Sequence, residues 1–141
     1  MSSSWLCVDA NLVLRLVADP GDVRVQQLWQ RWDTERQPLA ASTLLFYEVA
    51  NALYRYQRAG VLSAASVRSA LKATLALPLQ LLGEVELHGR ALDLAERFSL
   101  PTAYDAHYLT VAEWLGGELW TADARLAHAV QSALPWVRLV G

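Results

Sequence analysis

Short apolar runs separated by stretches with helical spacing constrain this chain more than any other feature. Residues 5–8 form one such run, closed by Asp9, and residues 38–41, 79–82 and 118–121 form three more. Runs of four apolar or mostly apolar residues without strict alternation suit strands of a parallel sheet covered on both faces. Residues 137–140 predict a fifth strand. Between the runs, Val25, Leu28, Trp29 and Trp32 recur at helical intervals within residues 23–32. Further helices are expected over 11–17, from a Ser42 cap to about 59, over 63–77 behind a Ser63 cap, and over 86–98. Thr102 is expected to cap a helix that reaches 115 and is stopped by Gly116-Gly117. Asp123 is expected to open a last helix to 130. Strand and helix alternate throughout, so the fold class is α/β, a three-layer sandwich with a mostly parallel central sheet of four or five strands.

The chain has 141 residues, which suits a single domain over 1–141, with 1–4 expected to be a flexible tail. A hydrophobic content of 54% excludes disorder and supplies a well-filled core. The formal charge of -2 provides no global basic field, so a nucleic-acid ligand would need local arginines or a groove shared by two subunits. A single cysteine, Cys7, excludes an internal disulfide and, in its apolar run, reads as a buried inert thiol. The start of the chain does not resemble a signal peptide, and no apolar stretch reaches membrane-spanning length, which makes the cytoplasm the expected location.

Four acids stand where a plain surface acid is not expected. Asp9 closes the first run, and Asp123 follows the fourth by two residues. Glu48 shares the apolar stripe of its helix, three residues after Leu45, and Asp105 lies under Tyr108, Leu109 and Ala112 on an inward face. In open parallel sheets ligands bind beyond the carboxyl ends of the strands, an edge that all four can reach. Each acid also has a structural reading: helix caps at Asp9, Asp105 and Asp123, and a buried ion pair at Glu48. Two carboxylates about 4 Å apart repel by roughly 4 kcal/mol at an effective dielectric of 20. A cluster of four therefore calls for compensation, which Mg²⁺ or Mn²⁺ gives through oxygen donors alone. No His or Cys pair has zinc spacing, and His88, His107 and His128 read as exposed helix residues. Neither a G-x-S-x-G elbow nor a P-loop is present.

The segments Val8-Asp9-Ala10-Asn11, Tyr47-Glu48-Val49-Ala50-Asn51, Tyr104-Asp105-Ala106-His107-Tyr108 and Trp120-Thr121-Ala122-Asp123-Ala124-Arg125 occur in this order. As an ordered set they resemble the PIN-domain ribonucleases, and within them the VapC-type toxins of toxin–antitoxin pairs. The resemblance implies a PIN-like sandwich and a Mg²⁺- or Mn²⁺-dependent endoribonuclease. It implies that Asp9, Glu48, Asp105 and Asp123 form the catalytic site, that Asp9, Asp105 and Asp123 hold the metal, and that Asn11 and Thr121 support them. It also implies an RNA substrate, cleavage to a 5′-phosphate and a 3′-hydroxyl, a homodimer, and a cognate antitoxin whose tail covers the site.

Arg15, Arg55 and Arg58 are candidate RNA contacts, against a reading as solvated or paired helix charge. Glu113 is expected to partner another side chain rather than a metal. Trp29, Trp32, Tyr54, Tyr56 and Trp114 are expected in the core or an interface. Other readings are an RNA-processing nuclease without an antitoxin, a non-catalytic interaction domain, and an aspartate-nucleophile phosphatase. The last is disfavoured because Asn11 stands where a second Asp is needed and Lys72 is the only lysine.

Overall fold

Leu6, Cys7 and Val8 are all buried, and as strand β1 (Leu6–Val8) they pair on both sides, as an apolar run without alternation requires. The computed structural model describes residues 4–140. Helices α1 (Ala10–Ala18) and α2 (Val23–Thr34) lead to β2 (Leu39–Ser42), and α3 (Leu45–Arg58) and α4 (Ala64–Leu75) lead to β3 (Leu79–Leu82). Then α5 (Leu87–Arg97) and α6 (Ala103–Leu115) return the chain to β4 (Glu118–Thr121), and α7 (Ala124–Val130) connects to β5 (Val137–Leu139). Every strand pair is parallel, and the sheet order is β3-β2-β1-β4-β5.

This order has one direction change. From β1 the chain steps outward through β2 to β3, then crosses back to β4 on the other side of β1 and continues to β5. Right-handed crossovers therefore place α1 to α4 on one face and α5 to α7 on the other. The contacts agree: α1 packs with α2, α3 and α4, while α6 packs with α5 and across β2, β1 and β4. The topological switch point lies between β1 and β4, where the helices leaving the two strands diverge and open a crevice.

Trp32 anchors the first helical layer, its ring centroid 5.3 Å from that of Trp29 and 5.5 Å from that of Trp120 on β4. Gly117 lets β4 begin against β1, since a Cβ there would stand 2.2 Å from the Trp5 carbonyl oxygen. The preceding Gly116 ends α6 in the left-handed conformation, as expected of the glycine pair.

Two expected caps differ. Ser42 is the last residue of β2, and its Oγ accepts from the Leu44 N–H at 3.1 Å, while Leu44 itself holds the cap position of α3. The hydroxyl satisfies the turn before the helix instead of the helix itself. Thr102 occupies the cap position of α6 in an extended conformation, but its side chain makes no capping bond. Ser63 does cap α4, accepting from Ser66 N–H at 3.0 Å. Of the expected tail, residues 1–3 lie outside the described residues, and the Ser4 carbonyl accepts a hydrogen bond from Gln37. Cys7 is buried, and desolvation pushes its thiol up to about 12, so it is inert. No helix among the described residues is long and apolar enough to cross a membrane.

Candidate active site

Asp9 and Asp123 leave adjacent strands at the switch point. Asp9 directly follows β1 and caps α1, its Oδ1 accepting from the Leu12 N–H at 3.0 Å. Asp123 lies two residues beyond β4 and caps α7, its Oδ1 accepting from the N–H groups of Arg125 at 3.0 Å and Leu126 at 3.2 Å. Thr121, the fully buried last residue of β4, ties the two together. Its hydroxyl donates to Asp9 Oδ2 and accepts from the Asp123 N–H at 3.0 Å. The capping roles read from the sequence are therefore real at Asp9 and Asp123, and they fix both carboxylates at the sheet edge.

Glu48 reaches the same place from the first turn of α3, and Asp105 from the first turn of α6. Glu48, Asp105 and Asp123 line one cleft of about 470 Å³, together with Thr102, Tyr104 and Arg125. Asp9 lies at 3% exposure and belongs to the same electrostatic group. Burial pushes its carboxyl up to about 7, against hydrogen bonds from Thr121 and Leu12 that lower it, and the charges of Asp105 and Asp123 raise it further. Asp105 is pushed up to about 6, by burial first and then by Asp123 and Glu48, with Arg125 opposing. Glu48 is not held by an arginine: the Tyr108 hydroxyl donates to its Oε1 at 2.5 Å. Burial and this bond both push the Tyr108 phenol upward, so it stays a neutral donor.

Buried carboxyls such as Asp9 and Asp105, raised by burial and by neighbouring acids, suit a hard divalent cation. Yet among the described residues no three His, Cys, Asp or Glu side chains stand close enough together to form a ready metal cage. Mg²⁺ usually keeps several waters and uses one or two carboxylates, a demand this arrangement can meet.

The supporting residues divide. Thr121 lies at the heart of the acidic group. Asn11, two residues past Asp9 on α1, lines a neighbouring cavity with Arg15, Tyr56 and Ala122. Arg15 pairs with Asp22 at 3.6 Å. Arg55 and Arg58 are exposed in the last turn of α3, roughly 10 and 15 Å along the helix axis from Glu48. The cation that acts on Asp105 is instead Arg125, on the cleft wall. Neither Arg125 nor Tyr108 was assigned a role from the sequence. Their signals were spacing alone: two residues past Asp123, and one helical turn past Asp105.

Glu113 forms a two-pronged pair with Arg90, at 2.7 and 2.9 Å, as expected of a surface partner. His128 is exposed, but His88 and His107 are not simply solvated. Their rings meet edge to face, with His88 Nδ1 2.8 Å from His107 Nε2. Trp29 and Trp32 pack in or against the core as expected, whereas Tyr54, Tyr56 and Trp114 are exposed on α3 and α6 and take no part in it. A larger cavity, about 510 Å³, opens at the other end of the strands beside Trp5, Leu39 and Leu79, far from the acidic group.

No family model matches the chain. It is 32% identical over 128 residues to Ribonuclease VapC3 of Pyrobaculum aerophilum, an alignment covering 87% of this chain and 92% of that protein. Its fold matches the crystal structure of PAE2754 from Pyrobaculum aerophilum with a TM-score of 0.70 and 27% identity, over 97% of this chain and 85% of that one. With five parallel strands, a switch-point crevice and a relative similar along nearly the whole length, the chain belongs to the VapC-type PIN-domain ribonucleases.

Proposed function

We propose that this chain is the toxin of a toxin–antitoxin pair, a cytoplasmic endoribonuclease that hydrolyses RNA phosphodiester bonds with Mg²⁺ or Mn²⁺. The observation that carries the reading is the meeting of Asp9, Glu48, Asp105 and Asp123 at the switch point of the sheet. Asp9, Asp105 and Asp123 are the donors for the cation, with waters completing its shell. When bound, such a cation supplies a water of lowered pKa and neutralises charge on the phosphate.

The remaining work falls to the chain itself. Thr121 and the Leu12 N–H orient Asp9, so this carboxylate need not reorganise when substrate arrives. Tyr108 holds Glu48 toward the cleft, where the carboxylate can orient a water or accept its proton. Arg125 offers a cation to a phosphate oxygen on the cleft wall. The exposed Tyr54, Tyr56 and Val61 at the end of α3 give a second copy of the chain an apolar surface to pair with.

Purified Asp9→Asn and Asp105→Asn variants should keep the fold, read by circular dichroism, and lose cleavage of RNA. Chelation should silence the wild-type protein, and Mg²⁺ or Mn²⁺ should restore it. Cleavage at the wild-type rate by either variant would remove the site, and chelator-resistant cleavage would remove the metal. Growth arrest on mild induction, relieved by the cognate antitoxin, tests the toxin role.

A further inference from the structure

A second cavity, of about 280 Å³, adjoins the acidic cleft, with Tyr104 lining both. Leu44, Leu82, Leu87 and Val111 give it apolar walls, and His88 and His107 also line it. Drug-sized ligands fill pockets of roughly 300–1,000 Å³, so this one suits something smaller, such as a single heterocycle. Tyr104 is 55% exposed, although it is an aromatic residue directly before Asp105.

The histidine pair has one consistent arrangement of protons in its neutral form. A carbonyl can only accept, so His107 Nδ1 donates to the Ala103 carbonyl at 2.6 Å. Its Nε2 is then an acceptor, and His88 Nδ1, 2.8 Å away, must donate to it. His88 Nε2 is left as an acceptor, the one atom of the pair still able to take a hydrogen bond. The cavity thus combines an aromatic side chain, an apolar interior and a histidine with one acceptor nitrogen left over from the pair.

We infer that this cavity receives one unpaired base of the RNA, next to the phosphate held at the acids. The base stacks on Tyr104, and His88 favours those with an exocyclic amino group, adenine, cytosine or guanine, over uracil. The inference rests on the ribonuclease reading. Recognition of single-stranded RNA works through splayed bases stacked on aromatic side chains and read on their edges. The shared wall favours a base over a protein side chain as occupant. A strand with its phosphate in the acidic cleft already brings the adjoining base to Tyr104, and a side chain of an antitoxin tail is the rival occupant that the test separates.

The test uses binding, so that it does not depend on cleavage. The Asp9→Asn chain is titrated into a fluorescent single-stranded oligouridylate that carries one adenosine and into an RNA of the same length that is abasic throughout. Adding Tyr104→Ala should weaken the adenosine-containing RNA about 5- to 150-fold, the range that loss of one stacked base gives. Tyr104→Trp should retain affinity. On the abasic RNA, Tyr104→Ala should have no effect. His88→Ala should cut the preference for the adenosine-containing RNA over plain oligouridylate about 2- to 12-fold. Equal losses on intact and abasic RNA, or no loss on either, would overturn the inference, and the second result would favour a protein side chain as occupant. Absence of any RNA binding would overturn it as well. A wild-type protein that binds with this pattern yet never cleaves would instead overturn the ribonuclease reading alone.

Discussion

Asp9→Asn in metal-free protein should change the sign of its effect on stability with pH. Asp9 has an ordinary carboxyl value of 3.8 in the unfolded chain and about 7 in the fold, raised mainly by burial. Well below pH 3.8 both states are protonated and the shift costs nothing, and at pH 4 it costs little. As pH rises from 4 to 7, the unfolded chain releases its proton while the fold retains it, so stability falls. By pH 8 the loss is complete. A difference of about three pKa units at 1.36 kcal/mol each is about 4 kcal/mol, a large part of the 5–15 kcal/mol typical of a domain. Asparagine carries no charge to desolvate and removes this loss. Its amide N–H₂ stands where Oδ2 meets Thr121 and leaves one buried N–H without an acceptor, a defect of about 1–3 kcal/mol at any pH.

The net expectation is a variant about 1–3 kcal/mol more stable than wild type at pH 8 and about 1–3 kcal/mol less stable at pH 4. At about 3 °C per kcal/mol for a chain of this size, melting midpoints should differ by about 3–9 °C in opposite directions. Asp105 titrates in both proteins, so its contribution largely cancels in the comparison. Saturating Mg²⁺ at pH 8, about 100 times its dissociation constant, should stabilise wild type by about 2.7 kcal/mol and the variant less. Calorimetry in chelator at the two pH values decides the matter. A variant with the same sign of effect at both would refute the premise that Asp9 is held in the fold as a costly charge.

Tyr108→Phe should cost about 1.5–3 kcal/mol in thermal unfolding, because it removes a 2.5 Å hydrogen bond to a carboxylate from a buried position. It should also slow RNA cleavage by freeing Glu48; a variant with unchanged turnover would limit Tyr108 to packing. Gly117→Ala should destabilise by at least about 1–3 kcal/mol, since its Cβ would meet the Trp5 carbonyl at 2.2 Å and backbone cannot swing aside as a side chain can. A melting midpoint within a degree of wild type would show that the edge between β1 and β4 yields more easily than the geometry implies.

The strands were legible because each is a short, mostly apolar run between segments of helical spacing. β3 and β4 fall on the expected residues, and β2 is displaced by one. The acids at Asp9 and Asp123 were legible for the same reason: the end of a buried run fixes where a side chain emerges, whatever the rest of the chain does. Glu48 and Asp105 followed from helical phase. What the sequence concealed is long-range choice. Tyr108 and Glu48 are 60 residues apart, and no local pattern says which hydroxyl will find which carboxylate. Arginines are similar: Arg15 follows Asp9 closely, yet pairs with Asp22 because helix phase turns it away, while Arg125 at the opening of α7 faces the acids. The Ser42 and Thr102 caps misled because a hydroxyl near a helix start has several backbone partners within reach.

The acidic group also explains why so much of this sheet edge is over-determined. A carboxylate as buried as Asp9 is unfavourable on its own, and the fold tolerates it only where other interactions fix the geometry. β1 is hydrogen-bonded on both sides, Thr121 locks Asp9 to the start of α7, and Val8, Leu12 and Val13 around it are completely buried. A divalent charge bound among the acids would offset the burial and the mutual repulsion that raise Asp9 and Asp105, so the residues that weaken the bare fold would be the ones that favour a ligand. Stability given up at neutral pH by Asp9 and Asp105 is what such a cation would return, and the rise of the melting midpoint with added Mg²⁺ at pH 8 would read it.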